Sequence, residues 1–231
     1  MSAINNRLHK AGDNYLNLPN VSEYRTVPYF RTVSEVKIMS EKKSFKVAVL
    51  GIFTAVTAVL QTISYFVKIG NFNLSLVLIP IIVAACLYTP SYSAYLGGVF
   101  GLMTVIGCLT GADSGGNILL NSNAVMTVIT CMLKGILCGF LCGLTAKALR
   151  KKGGLVSVVV PAIAAPVVNT GIFVVMMFVF FKDILYSWAG GTNAVTYIIT
   201  VLVGVNFLIE LGLNIIFAPA MLRIIKAVKK S

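Results

Sequence analysis

Charge is what this sequence has least of. Only 11% of its 231 residues are charged, against about 25% in an ordinary soluble domain. Apolar residues make up 58%, and mean hydropathy is +0.90. So much apolar surface with so little charge excludes a water-soluble enzyme or nucleic-acid binder and predicts an integral membrane protein. Histidine is nearly absent as well: the one copy, His9, lies in the N-terminal tail, which argues against a histidine-based hydrolase or a metalloprotease. No G-x-x-x-x-G-K-[ST] occurs, since Gly111-Ala112-Asp113-Ser114-Gly115-Gly116 lacks the lysine, so the chain has no P-loop. No apolar run carries closely spaced acidic pairs for metal chemistry. Cys86, Cys108, Cys131, Cys138 and Cys142 all sit in apolar segments without a C-x-x-C pair, so neither a disulfide framework nor a zinc site is expected. No catalytic residue, metal or cofactor is expected.

Base, by contrast, is in excess: 19 Lys and Arg face 7 Asp and Glu, a net charge of +12. Its placement explains it. Residues 1–44 read as a polar, disordered tail without an apolar signal region. Met39-Ser40-Glu41-Lys42-Lys43 also looks like an ordinary short start, and residues 1–38 are expected to be dispensable. Residues 45–228 then form apolar runs to be weighed against the ~30 Å hydrocarbon layer, the second of them short and containing Pro80, and 229–231 close the chain with a short basic end. The runs are Phe45–Val67, Leu74–Tyr88, Tyr92–Leu109, Asn123–Leu149, Leu155–Phe181 and Val195–Val228. The fold class predicted is an all-α bundle of six transmembrane helices. The second and third runs are also readable as a re-entrant hairpin turned at Thr89-Pro90-Ser91. Lys42, Lys43 and Lys46 precede the first run; Lys147, Arg150, Lys151 and Lys152 follow the fourth; Arg223, Lys226, Lys229 and Lys230 close the sixth. An even number of spans separates these clusters, so all three share a side, which the positive-inside rule makes cytoplasmic, with both termini.

Two ionisable residues lie deep in the runs. Lys134 is about 16 Å along the helix from Asn123, and Glu210 is mid-way through the sixth run. Intramembrane charges face a bundle interior and find partners. A pair between the two and a role in ligand contact both fit. At 100° per residue Asn123, Thr127, Thr130 and Lys134 fall within about 60° of one another. Gly135, Gly139 and Gly143 lie on roughly the opposite side, as a close-packing face. The sixth run repeats the polar pattern with Thr196, Thr200, Asn206, Glu210 and Asn214; Asn169, Thr170, Gln61 and Ser64 add to it. Either a cavity or a set of interhelical hydrogen bonds accounts for the stripes. Ala48, Gly51, Ala55 and Ala58 form a small-residue face in the first run, for a partner in this chain or another. The loops opposite the basic clusters hold Asn121, Tyr186 and Trp188; the aromatics suit either a ligand cover or an interfacial belt.

In this arrangement the chain resembles the substrate-binding S components of energy-coupling factor (ECF) vitamin transporters. The resemblance rests on the small-residue first span, Asn73-Leu74-Ser75-Leu76-Val77-Leu78-Ile79-Pro80, and Leu87-Tyr88-Thr89-Pro90. It also rests on Gly97, Gly98 and Gly101, Leu133-Lys134-Gly135 through Lys147-Ala148-Leu149-Arg150, Asn206-Phe207-Leu208-Ile209-Glu210 and Ala218-Pro219-Ala220. It implies a six-helix bundle in a bacterial plasma membrane that binds a vitamin or related micronutrient near the outer face. It implies partners as well: a transmembrane T component, docked on the Gly51-x-x-x-Ala55 face of the first helix, and two ATPase subunits. The substrate-binding residues expected are Asn121, Asn123, Thr127, Thr130, Lys134, Tyr186, Trp188, Asn206 and Glu210. Pantothenate is the favoured substrate and riboflavin the next. The other reading is a stand-alone secondary transporter or channel with Lys134 and Glu210 as an ion or proton relay.

Overall fold

A computed structural model describes residues 43–69, 72–73, 75–191, 193, 196 and 207–230. Residues 1–42 of the predicted tail, and Thr200 and Asn206, lie outside the described residues. The chain divides into a unit of residues 48–230 and another of residues 1–47 with Ser231. In order come α1 (Lys43–Ser64), β1 (Lys68–Ile69), β2 (Phe72–Asn73), α2 (Leu78–Leu87), α3 (Pro90–Thr110) and α4 (Ser114–Ser122). Then follow α5 (Ala124–Leu149), α6 (Val156–Phe180), α7 (Lys182–Ala189) and α8 (Leu208–Lys230). Among the described residues five helices, α1, α3, α5, α6 and α8, are long and apolar enough to cross a membrane. Their outward faces expose large apolar side chains such as Ile52, Leu102, Phe140, Val175 and Ile216. Such a surface suits acyl chains, so the chain is a multi-pass membrane protein.

The second predicted span, already short in the sequence, is shorter still as a helix. A full helix over Leu74–Tyr88 gives way to an antiparallel hairpin, with Lys68 paired to Asn73 and Ile69 to Phe72, an irregular stretch at Ser75–Val77, and the ten-residue α2. Ten residues rise only about 15 Å, half of the hydrocarbon layer. The helix starts late because the preceding backbone has other partners: the Leu76 N–H donates to Ser64 Oγ at 3.2 Å. Pro80 then falls in the first turn, where a missing N–H costs nothing. Ile81 through Cys86 are all buried, as a helix apolar on every side must be. At its far end the Arg150 side chain donates to the Tyr88 carbonyl. So α2 runs from the end of α1 to the basic end of α5. The third predicted span, as α3, has full crossing length, which argues against a re-entrant pair.

The bundle centres on α3 and α5, whose backbones touch. A Cβ built on Gly97 would lie 2.0 Å from the Gly135 carbonyl oxygen, and one on Gly139 2.0 Å from that of Ser93. Gly101 and Gly143 meet Cys131 and Pro90 in the same way. The glycine face read from the sequence is thus a seam for α3. On its flank α5 meets α6 through thiols: Cys138 and Cys142 donate to the Ala165 and Pro161 carbonyls at 3.2 and 3.6 Å. Pro161 cannot donate to the carbonyl four residues earlier, Ser157, and Cys86 of α2 donates to it instead at 3.6 Å. The cysteines need no further role to explain their burial.

Candidate functional site

A polar cavity of about 90 Å³ opens beside the first half of α5, away from the basic end at Lys147 and Arg150. One water needs ~10–15 Å³ of such space, so there is room for roughly half a dozen. α5 contributes Thr127, Thr130, Cys131 and Lys134, on the side turned away from the glycine seam. α3 contributes Phe100, Thr104 and Cys108, and α6 Asn169, Thr170 and Phe173. Gln61 comes from α1, Asn73 and Ser75 from the hairpin and the irregular stretch, and Glu210 from the first turn of α8. Asp113, Gly116 and Leu119 complete the lining at α4. Non-helical backbone at this depth is tolerated because it lines a cavity rather than lipid.

Lys134 and Glu210 therefore share one cavity, as the sequence suggested, but each has its own surroundings. The Lys134 ammonium lies between two rings, 5.6 Å from the Phe100 centroid and 5.4 Å from that of Phe173. Cation–π attraction at a partly exposed site of this kind is worth about 0.5–1 kcal/mol. Glu210 is reached by Ser75 and Asn169, yet its Oε1 has no hydrogen-bond partner. Gln61 Oε1, Asn73 Nδ2 and Asn169 Oδ1 are buried without a partner too. Four of the six such atoms among the described residues belong to this cavity; Thr57 Oγ1 and Asn214 Nδ2 are the others. Orphaned polar atoms inside a native fold are rare and call for an explanation. Beside them Gln61 bonds Tyr65, whose hydroxyl donates to the Met103 carbonyl.

A family model for the ECF transporter substrate-specific component matches residues 45–222. The chain belongs to that family. It is a substrate-specific transport subunit, and the family is one of transporter subunits rather than enzymes. No curated protein matches the chain.

Of the residues expected to touch substrate in this S component, Thr127, Thr130, Lys134 and Glu210 line the cavity. Asn123 and Asn121 are exposed and engaged locally. Asn123 caps α5, its Oδ1 accepting from the Met126 N–H at 3.1 Å, and Asn121 donates to Asn117 Oδ1 at 3.2 Å. Tyr186 is 61% exposed, and Trp188 packs against the apolar cluster of Leu119, Met177, Phe181 and Leu185. Neither aromatic is among the lining residues. Asn206 lies outside the described residues. Sequence reasoning did not name Phe100, Phe173, Asn73 or Ser75 as site residues; Gln61 and Asn169 were visible as polar residues in apolar runs. The small face of α1 is open: Ala48, Gly51 and Ala55 are exposed, Ala58 is half-buried, and a Cβ on Gly51 would meet nothing within 4 Å.

Proposed function

We propose that this S component captures a small polar micronutrient from the side opposite the basic helix ends and hands it inward. Its partners in that step are a transmembrane T component and two ATPase subunits. Both termini are cytoplasmic in a bacterial plasma membrane, the hairpin and α2 together completing a sixth pass. The observation that carries the reading is the set of four orphaned polar groups around a cavity in an otherwise apolar bundle. An unsatisfied buried polar group costs about 1–3 kcal/mol, and a bound ligand relieves that cost.

Lys134 supports a substrate with one anionic group, because an ammonium hydrogen-bonds a carboxylate more strongly than a neutral donor does. Pantothenate meets that requirement, and riboflavin is second because it has no anionic group. Thr127, Thr130, Lys134 and Glu210 contact substrate directly. Ala48, Gly51, Ala55 and Ala58 form the face on which the T component docks.

The test is mass spectrometry of small molecules retained by the purified protein, with co-purification from the native membrane. A stoichiometric polar molecule together with ATPase subunits is expected. An empty protein that brings down no ATPase would overturn the reading. Because Lys134 and Glu210 do share a cavity, a stand-alone secondary transporter is the competing reading; it predicts uptake without ATPase subunits.

A further inference from the structure

Free hydrogen-bonding capacity in the cavity is lopsided. Thr104, Thr127 and Thr130 each donate to the carbonyl four residues earlier, at 2.9, 2.9 and 2.7 Å. Their oxygens therefore meet the cavity as acceptors. Gln61 Oε1, Asn169 Oδ1 and Glu210 Oε1 add three buried acceptors without a partner. All three residues are more than nine-tenths buried, so bulk water is a poor substitute. Donors are few: the Lys134 ammonium between its two rings, Asn73 Nδ2 and the Thr170 hydroxyl. The acceptors without partners come from α1, α6 and α8, whereas Lys134 comes from α5.

Resting on the transport reading above, we infer that the ligand is bipolar, with an anionic group on Lys134 and a separate end bearing two or more O–H or N–H groups on Glu210, Asn169 and Gln61. A bare metal cation fits this acceptor set less well, because Lys134 and the Asn73 N–H share the cavity and repel it. A purely anionic ligand leaves the Glu210 oxygen unpaired. Pantothenate has both ends: a carboxylate at one, two hydroxyls at the other.

Three probes separate the poles: pantothenate, panthenol (carboxylate replaced by an alcohol) and N-(3,3-dimethylbutanoyl)-β-alanine (carboxylate and both methyls kept, both hydroxyls removed). Binding is measured by calorimetry on detergent-purified protein. Each analogue binds the wild type at least about tenfold more weakly than pantothenate, the range expected for losing hydrogen bonds to a charged group. Glu210→Leu weakens pantothenate by about the same factor and leaves N-(3,3-dimethylbutanoyl)-β-alanine unchanged. Lys134→Met shows the mirror pattern, leaving panthenol unchanged. If Glu210→Leu does not elute as a single species, Gln61→Leu reads the same pole.

Equal loss for every probe, or none, in a folded variant overturns the inference. So does a Glu210 effect that vanishes when choline replaces sodium, the mark of a cation site. Failure of all three probes in protein that still co-purifies with ATPase subunits overturns the bipolar ligand and leaves the transport reading standing. Loss of the ATPase subunits as well defeats that reading itself.

Discussion

Two stripes of small residues meet opposite fates in this molecule. The glycines of α5 are pressed against α3 so closely that an added Cβ would overlap backbone atoms. Among the described residues most of the α1 stripe stays uncovered: Gly51 is open, and Ile52 and Val59 beside it are 65% and 58% exposed. In sequence both read as small residues one helical turn apart. The pattern states that a backbone comes close; it does not state whose. In lipid, where apolar burial gives little driving force, van der Waals contact between such faces is a main source of helix association. The α5 stripe uses that contact within the chain, and the α1 stripe holds it in reserve.

The largest effect is expected from Gly135→Leu. Its Cβ alone would lie 2.2 Å from the Gly97 oxygen, and the rest of the side chain has nowhere to go. Overpacking by a few methylenes costs about 1–3 kcal/mol where neighbours can yield; two touching backbones cannot. The variant should fail to elute as a single species from gel filtration. Normal elution with an unchanged melting temperature would show that the seam is not what holds α3 to α5.

Gly51→Leu is the contrasting change. Among the described residues a Cβ there meets only open space, so stability should shift by no more than about 0.5 kcal/mol, as for other surface positions. Substrate binding should be unaffected. Recovery of ATPase subunits on co-purification should fall at least about tenfold if the T component sits on this face. Full recovery would place docking elsewhere and erase the contrast between the two stripes.

How much of this was legible in the sequence follows from which forces act locally. The outward apolar faces, the glycine seam and the two deep charges all come from helical periodicity, and four expected contact residues on α5 and α8 do line the cavity. That the second run is short was legible, but the late start of α2 was hidden, because it depends on Ser64, more than ten residues upstream, accepting the Leu76 N–H. Phe100 and Phe173 were hidden for a similar reason. A phenylalanine in an apolar run carries no mark of facing an ammonium until α3, α5 and α6 are brought together. Asn121 and Asn123 show the reverse case: polar residues near a loop have local partners available, and they use them.

The smallest effect therefore concerns Asn123, at the N-terminal end of the tightly packed helix. As a cap it satisfies one of the amides that the first turn of α5 leaves without a partner. Its side chain is exposed and is not among those lining the cavity. Asn123→Ala should cost about 1 kcal/mol of stability, the usual value for a lost cap, and change ligand affinity by less than about twofold. Asn123→Ser, which can cap, should restore most of the melting temperature. A tenfold loss of affinity in Asn123→Ala with unchanged stability would return Asn123 to the binding site. It would also mean that the helix packed most rigidly against its neighbour reshapes its free end around the ligand.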